Sequence, residues 1–275
     1  MAILMPSLRR AREQAKASVC QSNLHQWGII WSMYTSDNDG YFHQGPGGFR
    51  DERWPNSIRS YYSSEPKIRC CPTATKPRSE GNIGTFSAWG IFTGSTPWGK
   101  EGDYGSYGVN WWVCNTPSQP GVHYYPGAKS LVNNWRRANV KGAGYIPLYL
   151  DASWYGFWPL QTDEPPEYDG QLHGVSHTNE MRTCCLNRHN AFVNSLFLDW
   201  SFRKVGLKEL WKLKWHHNYK AVNSWTKAGG VRPEDWPEWM RPFRDYWKWL
   251  LHIKGSAFRL TLSYWIMFLR NLFFY

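Results

Sequence analysis

Long apolar runs are missing from this 275-residue chain. The opening Met1 to Met5 stops at Pro6, far short of the roughly 20 apolar residues that cross a bilayer. It also lacks the basic start and small-residue cleavage site of a secretory signal. Leu260 to Leu269, the longest uncharged stretch near the C-terminus, is too short as well. There is no P-loop, no GxGxxG and no nucleophile elbow, and no repeat at a period of about 20–50 residues. These absences remove solenoids and the motif-marked nucleotide enzymes and hydrolases.

Acidic residues are scarce, with 21 against 32 basic, for a net charge of +11. That balance favours anionic surfaces in general, whether phospholipid, nucleic acid or acidic polysaccharide. The basic residues are scattered between aromatics, so a solvated surface is the simpler reading. Residues 246–275 contain no acid at all and carry Lys248, Lys254, Arg259 and Arg270. This basic aromatic tail reads equally as a membrane-surface segment, a packed helix or appended sequence.

What is abundant is aromatic. With 19 Trp, 16 Tyr and 13 Phe, ring packing must replace much of the usual aliphatic core. The 24 Gly and 17 Pro imply loops, turns and short strands over long stretches. Ser7 to about Ser36 is the exception and reads as a helix about 45 Å long. In it Leu8, Ala11, Ala15, Val19, Trp27, Ile30, Trp31 and Tyr34 are read as one apolar stripe. Asp37-Asn38-Asp39-Gly40 ends it. A helix that long is expected to pack partly on something outside the chain.

Strands are expected at Ser106 to Cys114 and at Tyr145 to Leu150, the latter on a sheet edge because of Pro147. Gln161 to Gly170 reads as an exposed loop. The clearest β signal is a hairpin, with Phe192 to Leu198 turning at Asp199-Trp200 and returning through Ser201 to Val205. A short amphipathic helix follows at Leu207, Leu210 and Trp211.

Two blocks carry a resemblance. From Ala2 to Phe42, Leu4 and Pro6 precede an Arg/Ala-rich helix, followed by Cys20, Asn23-Leu24, Tyr34, Asp39 and Gly40. Further on, His189 and Asp199 stand with nine residues between them, and Cys71-Pro72 lies in the middle region. The chain thus resembles prepilin-like proteins of the type II secretion pseudopilin kind, in which a juxtamembrane helix and a C-terminal His-x9-Asp-Gly motif recur. Trp200 stands where that motif has glycine, which argues against a tight turn with positive φ there. The likeness spans residues 2–245.

The resemblance implies an α+β, pilin-like fold: a long N-terminal α-helix packed on a small antiparallel β-sheet with long irregular loops. Residues 1–36 would form the helix, 37–245 an aromatic-rich globular head, and 246–275 the tail. The family's leader and membrane run are not in this sequence, so the chain reads as the envelope-exposed part of a longer parent. The implied role is a structural subunit of a pilus-type or secretion-like assembly, membrane-anchored with its head outside the cytoplasm. Its partners would be other pilin-like subunits or secretion machinery, met through Leu8, Ala11, Ala15, Val19, Trp27 and Trp31. His189, Asp199, Cys20, Cys71 and Pro72 would be structural.

Other chemistry reads more weakly. His173, His177, Cys184, Cys185 and His189 form the best zinc-like grouping, yet the paired cysteines read rather as disulfide partners. Asp37 and Asp39 resemble the start of a calcium loop, but Gly48 falls at the closing position, so a helix-ending turn is favoured. His189 and Asp199, at opposite ends of one strand, are too far apart for acid–base work. We therefore expect no metal, no cofactor, no specific small molecule and no enzymatic activity. The alternative functions are a carbohydrate- or polymer-binding module using Trp89, Trp98, Trp111, Trp112, Trp154 and Trp158, or DNA capture by basic and aromatic residues together.

Overall fold

The computed structural model describes residues 4–46, 53–62, 66–81, 84–117, 130–172 and 178–245. The chain divides into two compact units, Met1–Phe243 and Arg244–Tyr275. The second lies almost wholly outside the described residues, as does the 246–275 tail singled out in the sequence.

Helix α1 spans Leu4–Asp37, 34 residues and so about 51 Å. Its end is set by the turn expected there: the amide of Gly40 donates to the Thr35 carbonyl at 2.8 Å, with Asp39 and Gly40 both at positive φ. Asp37 accepts from the Tyr61 hydroxyl at 2.8 Å, which fits a helix-ending turn. Among the described residues, no helix is long and apolar enough to cross a membrane.

Behind α1 stands a five-stranded sheet made of β4 (Tyr107–Asn110), β5 (Pro147–Asp151), β6 (Gly156–Phe157), β7 (Phe192–Phe197) and β8 (Phe202–Gly206), in the order β6-β4-β5-β7-β8. A smaller sheet joins β1 (Lys76–Pro77), β2 (Ser87–Gly90) and β3 (Tyr104–Gly105). The α+β class is as expected, but the sheets are mixed rather than antiparallel. The pairs β4 with β6 and β1 with β2 are parallel.

Glycine permits the β4–β6 pairing. A side chain at Gly156 would strike the Trp111 indole, and one at Gly108 the Trp154 carbonyl. Without Cβ atoms at these positions, the rings and backbone close onto the strands.

The edge assignment of Pro147 is corrected. Strand β5 is central, lying between β4 and β7, and is buried at every residue. Proline is tolerated because it is the first residue of the strand, where the register shifts against β7, so no regular ladder bond is lost. The Ser106 to Cys114 expectation holds for β4 only, because Trp111–Val113 winds into a 3₁₀ turn.

The hairpin is formed as read, with Leu196 opposite Phe202 and Phe192 opposite Gly206. Its turn is tight despite the missing glycine: Trp200 itself adopts φ 66°. Leu207–Lys212 follows as a 3₁₀ helix. The 161–170 segment is half-buried rather than exposed, because Asp163 turns inward and accepts from the amides of Leu160 and Met181 at 3.0 and 2.9 Å.

The core is a nest of rings. Trp27 sits between Trp54, Tyr62 and Tyr149, with centroids 5.3, 5.1 and 4.9 Å away. Indole N–H groups bond backbone carbonyls: Trp27 to Ile68 at 2.8 Å, Trp89 to Tyr107 at 2.9 Å, Trp112 to Pro159 at 2.9 Å and Trp211 to Asp163 at 2.7 Å. A buried irregular backbone needs such donors. Tryptophan supplies them together with its packing area.

Candidate functional site

Two features of the molecule are candidates for function. The first is the outer face of α1. Pro6 to Lys16 are exposed at every position, whereas Cys20, Leu24, Trp27 and Trp31 are buried in the head. The single stripe read from the sequence is therefore two faces. Between Val19 and Trp27 the count slips by eight residues, which rotates the row by about 80° at 100° per residue.

Trp27 and Trp31 accordingly face the chain's own core. Leu8, Ala11, Ala15 and Val19 continue instead into Ile29 and Met33, all six within about 80° of arc on the opposite side. Val19, Ile29 and Met33 are 49%, 50% and 51% exposed. An apolar row thus runs along the side of the helix that the head does not cover, interrupted between Val19 and Ile29 by the exposed Ser22 and Gln26.

The second feature is a buried quartet. Cys20, Cys71, Asp151 and His189 bring one sulfur, nitrogen or oxygen atom each to within 4.8 Å of one another. Each comes from a different segment. Cys20 lies on the covered face of α1. Cys71 follows the 3₁₀ turn Pro66–Arg69, its amide held by the Ser106 hydroxyl at 2.7 Å. Asp151 closes the central strand β5. His189 precedes β7 at a sharp backbone turn, where Asn190 and Ala191 take φ 55° and 71°.

The His189 Nε2 lies 3.2 Å from Asp151 Oδ2 and 3.3 Å from Cys71 Sγ. The Cys20 Sγ lies 3.7 Å from Asp151 Oδ1. Around these four, the Asn194 amide donates to Asp151 Oδ2 at 2.8 Å and the Tyr107 hydroxyl to Cys20 Sγ at 3.1 Å. Arg188 stands 3.7 Å from Asp151 Oδ1. Its guanidinium also donates to the carbonyls of Thr85, Ser106, Ser87 and Ala152.

The charges follow from this arrangement. Burial alone pushes the Asp151 carboxyl up, but the charges of His189 and Arg188 outweigh it and hold it low. Burial pulls the His189 imidazole down, and Asp151 more than reverses that, raising it to about 10. Burial also raises the Cys71 thiol, yet hydrogen bonds from Cys20 and His189 bring it to about 6. Cys20 is pushed well up, chiefly by burial. Two thiols, an imidazole and a carboxylate in contact can share protons as an ion-pair cluster, close a disulfide or hold a divalent metal.

Three residues singled out in the sequence, Cys20, Cys71 and His189, therefore meet, although nothing in their spacing said so. Pro72 follows Cys71 directly. Asp199 is elsewhere: it caps the hairpin tip, accepting from the amide and hydroxyl of Ser201 at 3.0 and 2.6 Å. Asp151 was missed. The one available signal was an acidic residue ending an apolar strand.

The zinc-like grouping expected around Cys184 and Cys185 does not form among the described residues. His173 and His177 lie outside them, and His189 faces the quartet instead. All six cysteines are free thiols, so the disulfides expected from the doublets are not formed. Cys184 turns back on the Met181 carbonyl at 3.4 Å. Of the tryptophans offered for sugar binding, Trp89, Trp111, Trp112 and Trp158 are buried, while Trp98 is 44% exposed.

The chain matches no family model, no curated protein and no solved structure.

Proposed function

We propose that this chain is the head and juxtamembrane helix of a pilin-like structural subunit in an envelope assembly, rather than an enzyme. The observation that supports it most is the apolar row Leu8, Ala11, Ala15, Val19, Ile29 and Met33, which runs along α1 opposite the face taken by the head. A helix with one face buried at home and an apolar face left over fits packing against the equivalent helices of neighbouring subunits. The occupant we assign to that row is therefore another pilin-like helix. The resemblance of residues 2–42 and of the His189 and Asp199 block points to the same role. On this reading an apolar membrane helix precedes residue 1 in the parent protein, and the head lies outside the cytoplasm. The sugar-binding alternative loses its support with the burial of four of its six tryptophans.

The test is assembly of a chain extended at its N-terminus by an apolar membrane helix. Filaments or membrane complexes are expected, and Val19→Asp with Met33→Asp is expected to abolish them without lowering the melting temperature of the head. An extended chain that stays monomeric would overturn the reading.

A further inference from the structure

We propose that Cys20, Cys71, Asp151 and His189 form a structural zinc site that clamps α1 to the sheet. The inference is independent of the assembly reading, since it concerns only how the head is held together.

The spacing of the four ligand atoms fits a closed tetrahedral site. Zinc binds thiolate sulfur at about 2.3 Å and imidazole nitrogen or carboxylate oxygen at about 2.0–2.2 Å, so its ligand atoms lie about 3.3–3.8 Å apart. Cys20 to Asp151 is 3.7 Å, Cys71 to His189 is 3.3 Å and His189 to Asp151 is 3.2 Å. All four ligand atoms lie within 4.8 Å of one another, so a metal needs to draw the widest pair together by no more than about 1 Å.

The donor set selects the ion. Two thiolates and an imidazole exclude the hard cations calcium and magnesium and suit zinc. Charge closes the argument. A divalent ion and the Arg188 guanidinium together balance two thiolates and the Asp151 carboxylate, leaving His189 neutral as a ligand must be. Four protein ligands with no exposed side leave no open position, which marks a structural site rather than a catalytic one.

The surroundings supply what ligands need behind them. Asp151 is held by the Asn194 amide and Arg188, Cys20 by the Tyr107 hydroxyl, and Cys71 by the Thr73 hydroxyl at 3.0 Å. Such outer partners orient ligands and are part of a metal site. The ion would tie together four segments that are remote in sequence, with α1 among them.

The experiment uses the full chain and zinc itself. Purified protein is expected to carry one zinc per chain by elemental analysis, and chelation should lower its melting temperature by about 10 °C. Cobalt exchanged into the unaltered chain should give the thiolate-to-metal charge-transfer band of a two-cysteine site, a readout that survives if the variants misfold. Cys20→Ser or Cys71→Ser should weaken zinc retention at least tenfold, whereas Cys184→Ser should not. A folded chain that takes up neither metal, or a Cys20–Cys71 disulfide found by mass spectrometry, would overturn the proposal.

Discussion

Cys20 and Asp151 are separated by 131 positions in the sequence, and their side chains lie 3.7 Å apart. The contact joins the helix to the central strand of the sheet. Asp151 also meets His189 and Arg188, so removing it leaves the buried Arg188 guanidinium without its carboxylate. Asp151→Ala is expected to cost about 3–5 kcal/mol, read as a lower urea midpoint with an unchanged slope. A loss below about 1 kcal/mol would mean that the carboxylate does not organise this region.

The two faces of α1 should respond differently to truncation. Trp27→Ala empties the centre of the ring nest and should destabilise the head by about 3–5 kcal/mol. Val19→Ser, Ile29→Ser and Met33→Ser touch only the uncovered face and should each stay within about 0.5 kcal/mol. Equilibrium unfolding of the four variants checks this, and similar losses on both faces would refute the division.

Acid should weaken the fold through two buried histidines. Burial, with Arg53 nearby, lowers His43 to about 3, and burial with Lys214 and His217 lowers His216 to about 4. Below about pH 6.5 the unfolded chain takes up protons that these rings refuse, so stability falls as pH falls. At pH 5 the loss is about 2 kcal/mol from each. Neither ring nitrogen of His216 has a hydrogen-bond partner among the described residues, and the ring lies 4.8 Å from Trp112 and 5.3 Å from Tyr219. His216→Phe should therefore flatten the acid limb by about 2 kcal/mol at pH 5 while leaving pH 7 stability equal or higher. Urea titrations at the two pH values decide it, and an unchanged acid limb would count against the assignment.

Features written in local chemistry were legible in the sequence. The end of α1 could be read from Asn38-Asp39-Gly40, and the hairpin from the apolar run before Asp199. The long helix followed from its periodicity, but its two faces did not: a shift of eight residues between Val19 and Trp27 looks like continuity until a sheet covers one side. Pro147 misled because its position within the strand, first rather than interior, depends on pairing with distant residues. The quartet was hidden for the same reason. Cys20, Cys71 and His189 were each noticed as isolated landmarks, and Asp151 is what gathers them, through the register of a central strand. Trp200 took a left-handed turn position that side-chain sterics argue against, held there by the hairpin on both sides.

The bare first turns of α1 also settle how traction on that helix enters the molecule. Ala17 and Cys20 are the first buried residues after the exposed stretch Pro6 to Lys16, so a pull along the rod reaches the head at this end, at the packing of Ala17 and the contact of Cys20 with Asp151, before the tryptophans behind them. The load passes to the middle of the larger sheet through side chains wedged crosswise to the helix. The segment around Ile68 and Cys70 shares that load, because the Trp27 indole and the Asn23 amide donate to its carbonyls at 2.8 and 3.0 Å.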